Sequence, residues 1–273
     1  MEGAASIAKK LGIPQLIIGL TIVAMGTSMP EAAVSITAAL QKNAGITIGN
    51  IVGSNILNIL IILGVTAVIT NVAIQTSTFR YEIPFMMVVT IILLVFGITG
   101  GKVTFVEGII FWVLFLLYLG YLFVMAKKGT NEEEGETKDY PVWKCILFMV
   151  IGGVLVVKGS DFAVSGASAI ARYFGMSERF IGLTIVAMGT SLPETAVSVS
   201  ASLVGNNELA VSNVVGSNIF NLMVVIGVCA MLATVNVAKE TITRDIPLSL
   251  ICAGLLMSVS YTHLSCRRSH KCR

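Results

Sequence analysis

The chain has 273 residues, 55% hydrophobic and only 12% charged, with a formal net charge of +3 and a mean hydropathy of +0.89. A soluble domain carries about 25% charged residues, so this composition excludes one and describes an integral membrane protein in a lipid bilayer. The positive charge is scattered over loops and a basic tail without interleaved aromatics, which excludes a nucleic-acid partner.

In chain order, nothing before Leu11 reads as a cleavable signal, since Lys9 and Lys10 follow a short Ala-rich segment. Apolar runs then recur at Leu16 to Leu40, Ile46 to Ile69, Ile83 to Ile98, Val103 to Ala126, Val142 to Val157, Phe180 to Leu203, Leu209 to Val235 and Ile246 to Val259. Most approach the roughly 20 residues that cross a bilayer as a helix. Period-2 alternation is absent, so the runs predict a helical bundle and not a transmembrane barrel. The polar stretch Lys127 to Tyr140 reads as a solvated linker. Cys145, Cys229, Cys252, Cys266 and Cys272 form no Cys-x-x-Cys pair, and those in apolar runs act as small hydrophobes.

One stretch occurs twice. Gly19 to Asn58 contains Gly26-Thr27-Ser28-Met29-Pro30-Glu31 and Gly53-Ser54-Asn55-Ile56-Leu57-Asn58. Shifted by 163 (182 minus 19), Gly182 to Asn221 contains Gly189-Thr190-Ser191-Leu192-Pro193-Glu194 and Gly216-Ser217-Asn218-Ile219-Phe220-Asn221. Aligned without a gap, 25 of the 40 positions are identical. The similarity extends back to Gly3 to Ile13 against Gly166 to Met176, and forward to Thr78 to Pro84 against Thr241 to Pro247.

The expected organisation is a first half at 1–126, a linker at 127–140, a second half at 141–260 and an atypical basic tail at 261–273. Pro141 to Ser165 leads into the second copy and has no counterpart in the first, whereas Val103 to Ala126 has none after the second. The expectation is therefore two repeats of five helices each, with most of the first and the last helix missing. An odd number of crossings inverts the second half, as in many secondary transporters whose sites lie near the midplane. Basic residues divide seven to six between the two sides, which barely favours a cytoplasmic linker. In the tail, His263, Cys266, His270 and Cys272 match no zinc spacing.

The motif chemistry is that of a hard cation. Pro30 and Pro193 lack an N–H and crowd the carbonyl four residues back, so a helix should break or kink there and free the carbonyls of Gly26, Gly189 and their neighbours. Unpaired carbonyls are tolerated at membrane depth only where they are buried in protein or line a polar cavity. Glu31 and Glu194 follow directly, each costing on the order of 2.5–3.5 kcal/mol at a membrane centre. Lys158 is the only basic residue deep in an apolar run, with Asp161 within same-face reach, so a bound cation or protons are the simpler compensation. On the next helix Ser54 and Asn58 share a face, as do Ser217 and Asn221, with Asn50 and Asn213 one turn away. A lone Ser or Asn in a membrane helix is more often interhelical glue, but here breaker, acid and amide face are all duplicated. Oxygen donors without sulfur or imidazole suit calcium or sodium.

These motifs resemble the sodium/calcium exchanger family of the cation/calcium antiporter superfamily, specifically its prokaryotic members, over nearly the whole chain to about Val259. The resemblance implies ten helices in two inverted halves and alternate binding of calcium and sodium by Glu31 and Glu194. It implies further donors in the backbone oxygens of Ala24, Thr27, Ala187 and Thr190, the hydroxyls of Ser28, Ser54, Ser191 and Ser217, and the amides of Asn58 and Asn221. Potassium-dependent relatives tend to carry Asp at the position of Asn221, so potassium coupling is not expected. The expected activity is sodium-for-calcium exchange, with no cofactor beyond the transported ions, in a bacterial or archaeal cytoplasmic membrane. The alternatives are a proton/calcium antiporter, or a non-transporting ion-binding subunit or inactive fragment. No nucleophile, cofactor loop or acid/base pair marks an enzyme, and the sequence does not encode an oligomeric state.

Overall fold

The computed structural model describes residues 6, 15–70, 72, 74–127, 140–175 and 187–269, and gives only the backbone at Ala187, at 263–269 and at scattered positions of 149–172. Lys127 to Tyr140 falls largely outside the described residues, as do the side chains of Asp161, His263 and Cys266 and the whole of His270 and Cys272.

The chain opens with a broken pair, α1 (Leu16–Thr27) and α2 (Met29–Leu40), bent by 49° at Ser28. Ser28 leaves helical geometry at φ −83° and ψ 9°, and Pro30 falls in the first turn of α2. There its missing N–H is one that a helix start leaves unpaired anyway, so the proline restarts a helix instead of interrupting one. The break expected from the Gly-Thr-Ser-Met-Pro-Glu motif is present, with Glu31 in the first turn beyond it.

A tight turn leads into α3 (Ala44–Ile69). Lys42 takes a left-handed conformation at φ 59°, and the Asn43 side chain caps α3 by accepting the Ile46 N–H at 3.3 Å. After α3 come α4 (Thr78–Gly100) and α5 (Phe105–Lys127), then the 32-residue α6 (Val142–Tyr173). The second broken pair is α7 (Ala187–Thr190) and α8 (Leu192–Leu203), again with Pro at its start. A turn with Gly205 at φ 79° and Asn206 capping Leu209 at 3.2 Å leads into α9 (Asn207–Leu232) and then α10 (Thr241–Thr262). The α10 backbone stays helical through Ser269. A two-residue pairing that the sequence pattern did not announce joins β1 (Lys102–Val103) to β2 (Val235–Asn236), antiparallel.

Five of these helices, α3, α4, α5, α9 and α10, are each long and apolar enough to cross a membrane, and the bent α1–α2 pair together makes a sixth. The fold is an all-α membrane architecture built on two inverted-topology repeats. Wide π-turns interrupt the helices at Asn58–Ile62 and Asn221–Val225, and at Thr78–Glu82 and Thr241–Asp245. Both pairs keep the 163-residue separation of the repeat. Such turns re-aim the side chains beyond them and favour functional sites; two of them begin at the motif residues Asn58 and Asn221.

Helix α9 lies at the centre, with every residue from Leu209 to Phe220 buried. It meets α1 across small residues: a Cβ on Gly216 would stand 2.7 Å from the Leu20 Cα and 2.8 Å from the Ala24 Cβ, and one on Gly19 would overlap the Ser212 hydroxyl. Only glycines allow this backbone approach. The N-terminal end of α1 is tied to α9 by the Leu16 N–H, donated to Glu208 Oε1 at 2.9 Å. Cys145, Cys229 and Cys252 are buried free thiols, as their apolar surroundings led one to expect.

Candidate functional site

The breaks at Ser28 and Ser191 meet where α3 and α9 cross, and they do so reciprocally. The Ser28 hydroxyl donates to Glu194 Oε1 at 2.8 Å, and its copy Ser191 donates to Glu31 Oε1 at 3.1 Å. Each carboxylate is thus held by a hydroxyl from the other half of the chain. Glu31 and Glu194 are both fully buried, and among the described residues no basic side chain pairs with either. The second oxygen of each, Oε2, has no hydrogen-bond partner.

The asparagines divide into three pairs with different tasks. Asn50 donates to Ser35 Oγ at 3.0 Å and to the Glu31 carbonyl at 3.3 Å, tying α3 to α2, while its Oδ1 accepts the Thr190 hydroxyl at 3.3 Å. Asn213 repeats the arrangement with Ser198 at 3.0 Å, the Glu194 carbonyl at 3.4 Å and the Thr27 hydroxyl at 3.2 Å. Both ends of each amide are therefore engaged within the protein. The face shared with Ser54 and Ser217 made these two candidate ligands; the geometry makes them struts that hold the acid-bearing helices and reach across to the opposite half.

Asn55 and Asn218 form a reciprocal clasp between α3 and α9. Asn55 Nδ2 donates to the Asn218 carbonyl at 3.2 Å, and Asn218 Nδ2 to the Asn55 carbonyl at 3.1 Å. Their side-chain oxygens in turn accept from Asn58 Nδ2 at 3.0 Å (on Asn218) and from Asn221 Nδ2 at 3.2 Å (on Asn55). The clasp thereby fixes the amide orientation of Asn58 and Asn221: the NH2 groups face the other asparagines, and each Oδ1 is buried with no partner. Sequence reasoning gave Asn55 and Asn218 no task, because on a helix they stand about 100° around from Ser54 and Ser217. Their identity in both copies was the signal available.

The remaining expected groups gather around Ala24. Its carbonyl is not freed by Pro30; it accepts the Ser28 N–H at 3.0 Å, the Thr27 hydroxyl at 3.2 Å and the Ser217 hydroxyl at 3.5 Å. The physical reason is that the helix ends at Ser28, so the last regular turn still closes onto Ala24. The Thr27 and Ser217 hydroxyls lie 3.4 Å apart. Ser54, the copy of Ser217, has a buried hydroxyl without a partner. Thr190 and Ser191 are buried beside Glu31, and Ala187 begins the short helix that ends at Thr190.

Five buried side-chain oxygens at the crossing are thus left unpaired: Glu31 Oε2, Glu194 Oε2, Ser54 Oγ, Asn58 Oδ1 and Asn221 Oδ1. Buried polar atoms are as a rule hydrogen-bonded, so a cluster of unpaired acceptors drawn from both halves needs a positive partner. No group of three or more His, Cys, Asp or Glu occurs among the described residues, so the donor set carries two carboxylates and otherwise neutral oxygens. That is the chemistry of a hard cation with a high coordination number.

Comparison with known proteins agrees with this geometry. Residues 1–124 and 144–269 match the family model described as sodium/calcium exchanger protein. CaxA of Alkalimonas amylolytica is 40% identical over 266 residues, covering 94% of this chain and 83% of that protein. The sodium/calcium exchanger MaX1 of Methanosarcina acetivorans is 30% identical, covering 94% and 85% respectively. A solved structure of the sodium-calcium exchanger NCX_Mj, soaked with 2.5 mM Na+ and 0.1 mM Ca2+, superposes with a TM-score of 0.81 at 29% identity, covering 94% of this chain and 83% of that one. The matches span both halves of the chain and the crossing between them: this protein is a transporter, not an enzyme, and belongs to the sodium/calcium exchanger family of cation/calcium antiporters.

Proposed function

We propose that this chain exchanges sodium for calcium through the single pocket between its two halves, 1–126 and 141–260. The observation that carries the reading is the reciprocal hold on Glu31 and Glu194, with one unpaired oxygen on each. Either half alone offers one carboxylate, and a divalent ion requires both. In this reading the carboxylates take the ion together with Ser54, Asn58 and Asn221. The backbone oxygens of Ala24, Thr27, Ala187 and Thr190 and the hydroxyls of Ser28, Ser191 and Ser217 complete the shell toward the 6–8 oxygens calcium prefers. Sodium is equally hard and competes for the same oxygens.

Exchange follows from charge. Two carboxylates are neutralised by one calcium or by several sodium ions, whereas the pocket without cations leaves two buried, uncompensated anions, a state strongly disfavoured in low dielectric. If only neutralised states rearrange, one ion leaves only when the other replaces it. The broken helices suit the rearrangement, because their ends meet at the site. The names of MaX1 and NCX_Mj support sodium as the counter-ion. We place the protein as a multi-pass component of a bacterial or archaeal cytoplasmic membrane.

The test is calcium uptake into liposomes driven by an outward sodium gradient, with pH clamped on both sides. Sodium-dependent uptake supports the reading. Uptake driven only by a proton gradient would replace it with proton/calcium antiport through the same acids, and calcium binding without flux would reduce the protein to an ion-binding subunit.

A further inference from the structure

Outside the cation pocket the molecule holds another fully buried carboxyl, Glu82, in the π-turn that opens α4. Its Oε1 accepts the Tyr121 hydroxyl of α5 at 2.8 Å. Its Oε2 is buried without a partner, and so are the Thr78 hydroxyl one turn before it and the Tyr118 hydroxyl from α5. The repeat makes this arrangement unequal. The copy of Glu82 is Asp245 (82 plus 163), which is 29% exposed and pairs with Arg244 at 2.8 Å. The counterpart of Arg244 in the first half is Tyr81, so the acid that became buried is also the one that lacks a built-in counter-charge.

The groups facing Glu82 from the packed elements are tyrosines. Tyr118 and Tyr121 come from α5, Tyr81 lies against the Tyr121 ring at 6.0 Å, and Tyr261 of α10 lies against the neighbouring Phe79 at 6.1 Å. Arg80 points outward to an exposed position, and among the described residues no cation pairs with Glu82. An ionised carboxylate in this seam would be an isolated buried charge, which is neutralised in practice. Three oxygens are too few for sodium or calcium to replace their water, whereas a single proton on Oε2 removes the charge and asks for no coordination shell.

We propose that Glu82 is a proton-binding site, separate from the cation pocket, in which the neutral acid seals the seam between α4 and α5. Infrared spectroscopy of the purified full-length chain reads it directly. Wild type is expected to show a protonated-carboxyl C=O band that calcium and sodium leave unchanged. Glu82→Gln should lose that band while keeping wild-type calcium binding, and Tyr121→Phe, which removes the hydrogen bond to Oε1, should shift it in frequency. Should Glu82→Gln fail to fold, the Tyr121→Phe shift decides alone. Persistence of the band in Glu82→Gln, its absence from wild type, or no shift in Tyr121→Phe would overturn the assignment. A Glu82→Gln protein that loses one equivalent of bound radioactive sodium would overturn it too, by making the occupant a metal cation.

Discussion

Replacing Asn218 by alanine removes one donor and one acceptor from the Asn55–Asn218 clasp. The Asn55 carbonyl loses its 3.1 Å donor and Asn58 Nδ2 loses its 3.0 Å acceptor, whereas the bond from Asn55 to the Asn218 carbonyl remains possible. Interhelical hydrogen bonds in membrane proteins are worth about 0.6 kcal/mol on average, which makes about 1.2 kcal/mol for two. A buried amide left unsatisfied costs about 1–3 kcal/mol, so the expected loss of stability is about 1–3 kcal/mol. The functional effect is more diagnostic, because Asn58 is then free to turn its NH2 toward the cation pocket. An amide turned NH2-first presents a donor to the cation in place of an acceptor, so calcium affinity should fall about tenfold, which corresponds to about 1.4 kcal/mol. Denaturant unfolding and radioactive-calcium binding on the purified variant measure the two quantities, and Asn55→Ala should mirror both through Asn221. If Asn218→Ala retains wild-type calcium affinity despite losing stability, the clasp is interhelical glue and does not orient the ligands.

Ser28→Ala and Ser191→Ala each remove a hydroxyl bonded to the opposite carboxylate. Hydrogen bonds to charged groups are worth about 1.5–3 kcal/mol, so each variant should weaken calcium binding by roughly ten- to a hundredfold, and by similar amounts; a large inequality would argue against the reciprocal geometry. Gly216→Ala puts a Cβ 2.7 Å from the Leu20 backbone. It should push α1 off α9 and abolish calcium binding while circular dichroism still reports full helicity. Lys42→Gly relieves a left-handed residue that the second copy already builds from Gly205. It should stabilise the protein by about 1 kcal/mol in unfolding assays, with calcium flux unchanged.

Much of this architecture was legible because the chain says it twice. The run lengths announced the helices, Pro30 and Pro193 the breaks, and the duplicated acids the place where the two halves meet. What stayed hidden were features that arise only when the copies meet. The Asn55–Asn218 clasp is invisible in one helix, since its partner is 163 residues away. The π-turns at Asn58 and Asn221 lack a local composition cue, because they depend on how α3 and α9 pack. Asn50 stands on the Ser54–Asn58 helical face, yet the Ser35 and Thr190 hydroxyls that occupy it come from two other elements. Glu82 is buried and Asp245 paired although they occupy equivalent positions, a difference set by what surrounds each π-turn.

In the exchange reading both copies of the repeat share one ion. Equilibrium binding of radioactive calcium to the purified chain, titrated with sodium, tests it most directly. One calcium per chain is expected, displaced by sodium, and lost in both Glu31→Gln and Glu194→Gln. Two independent calcium ions per chain, or one that either variant retains with wild-type affinity, would contradict it.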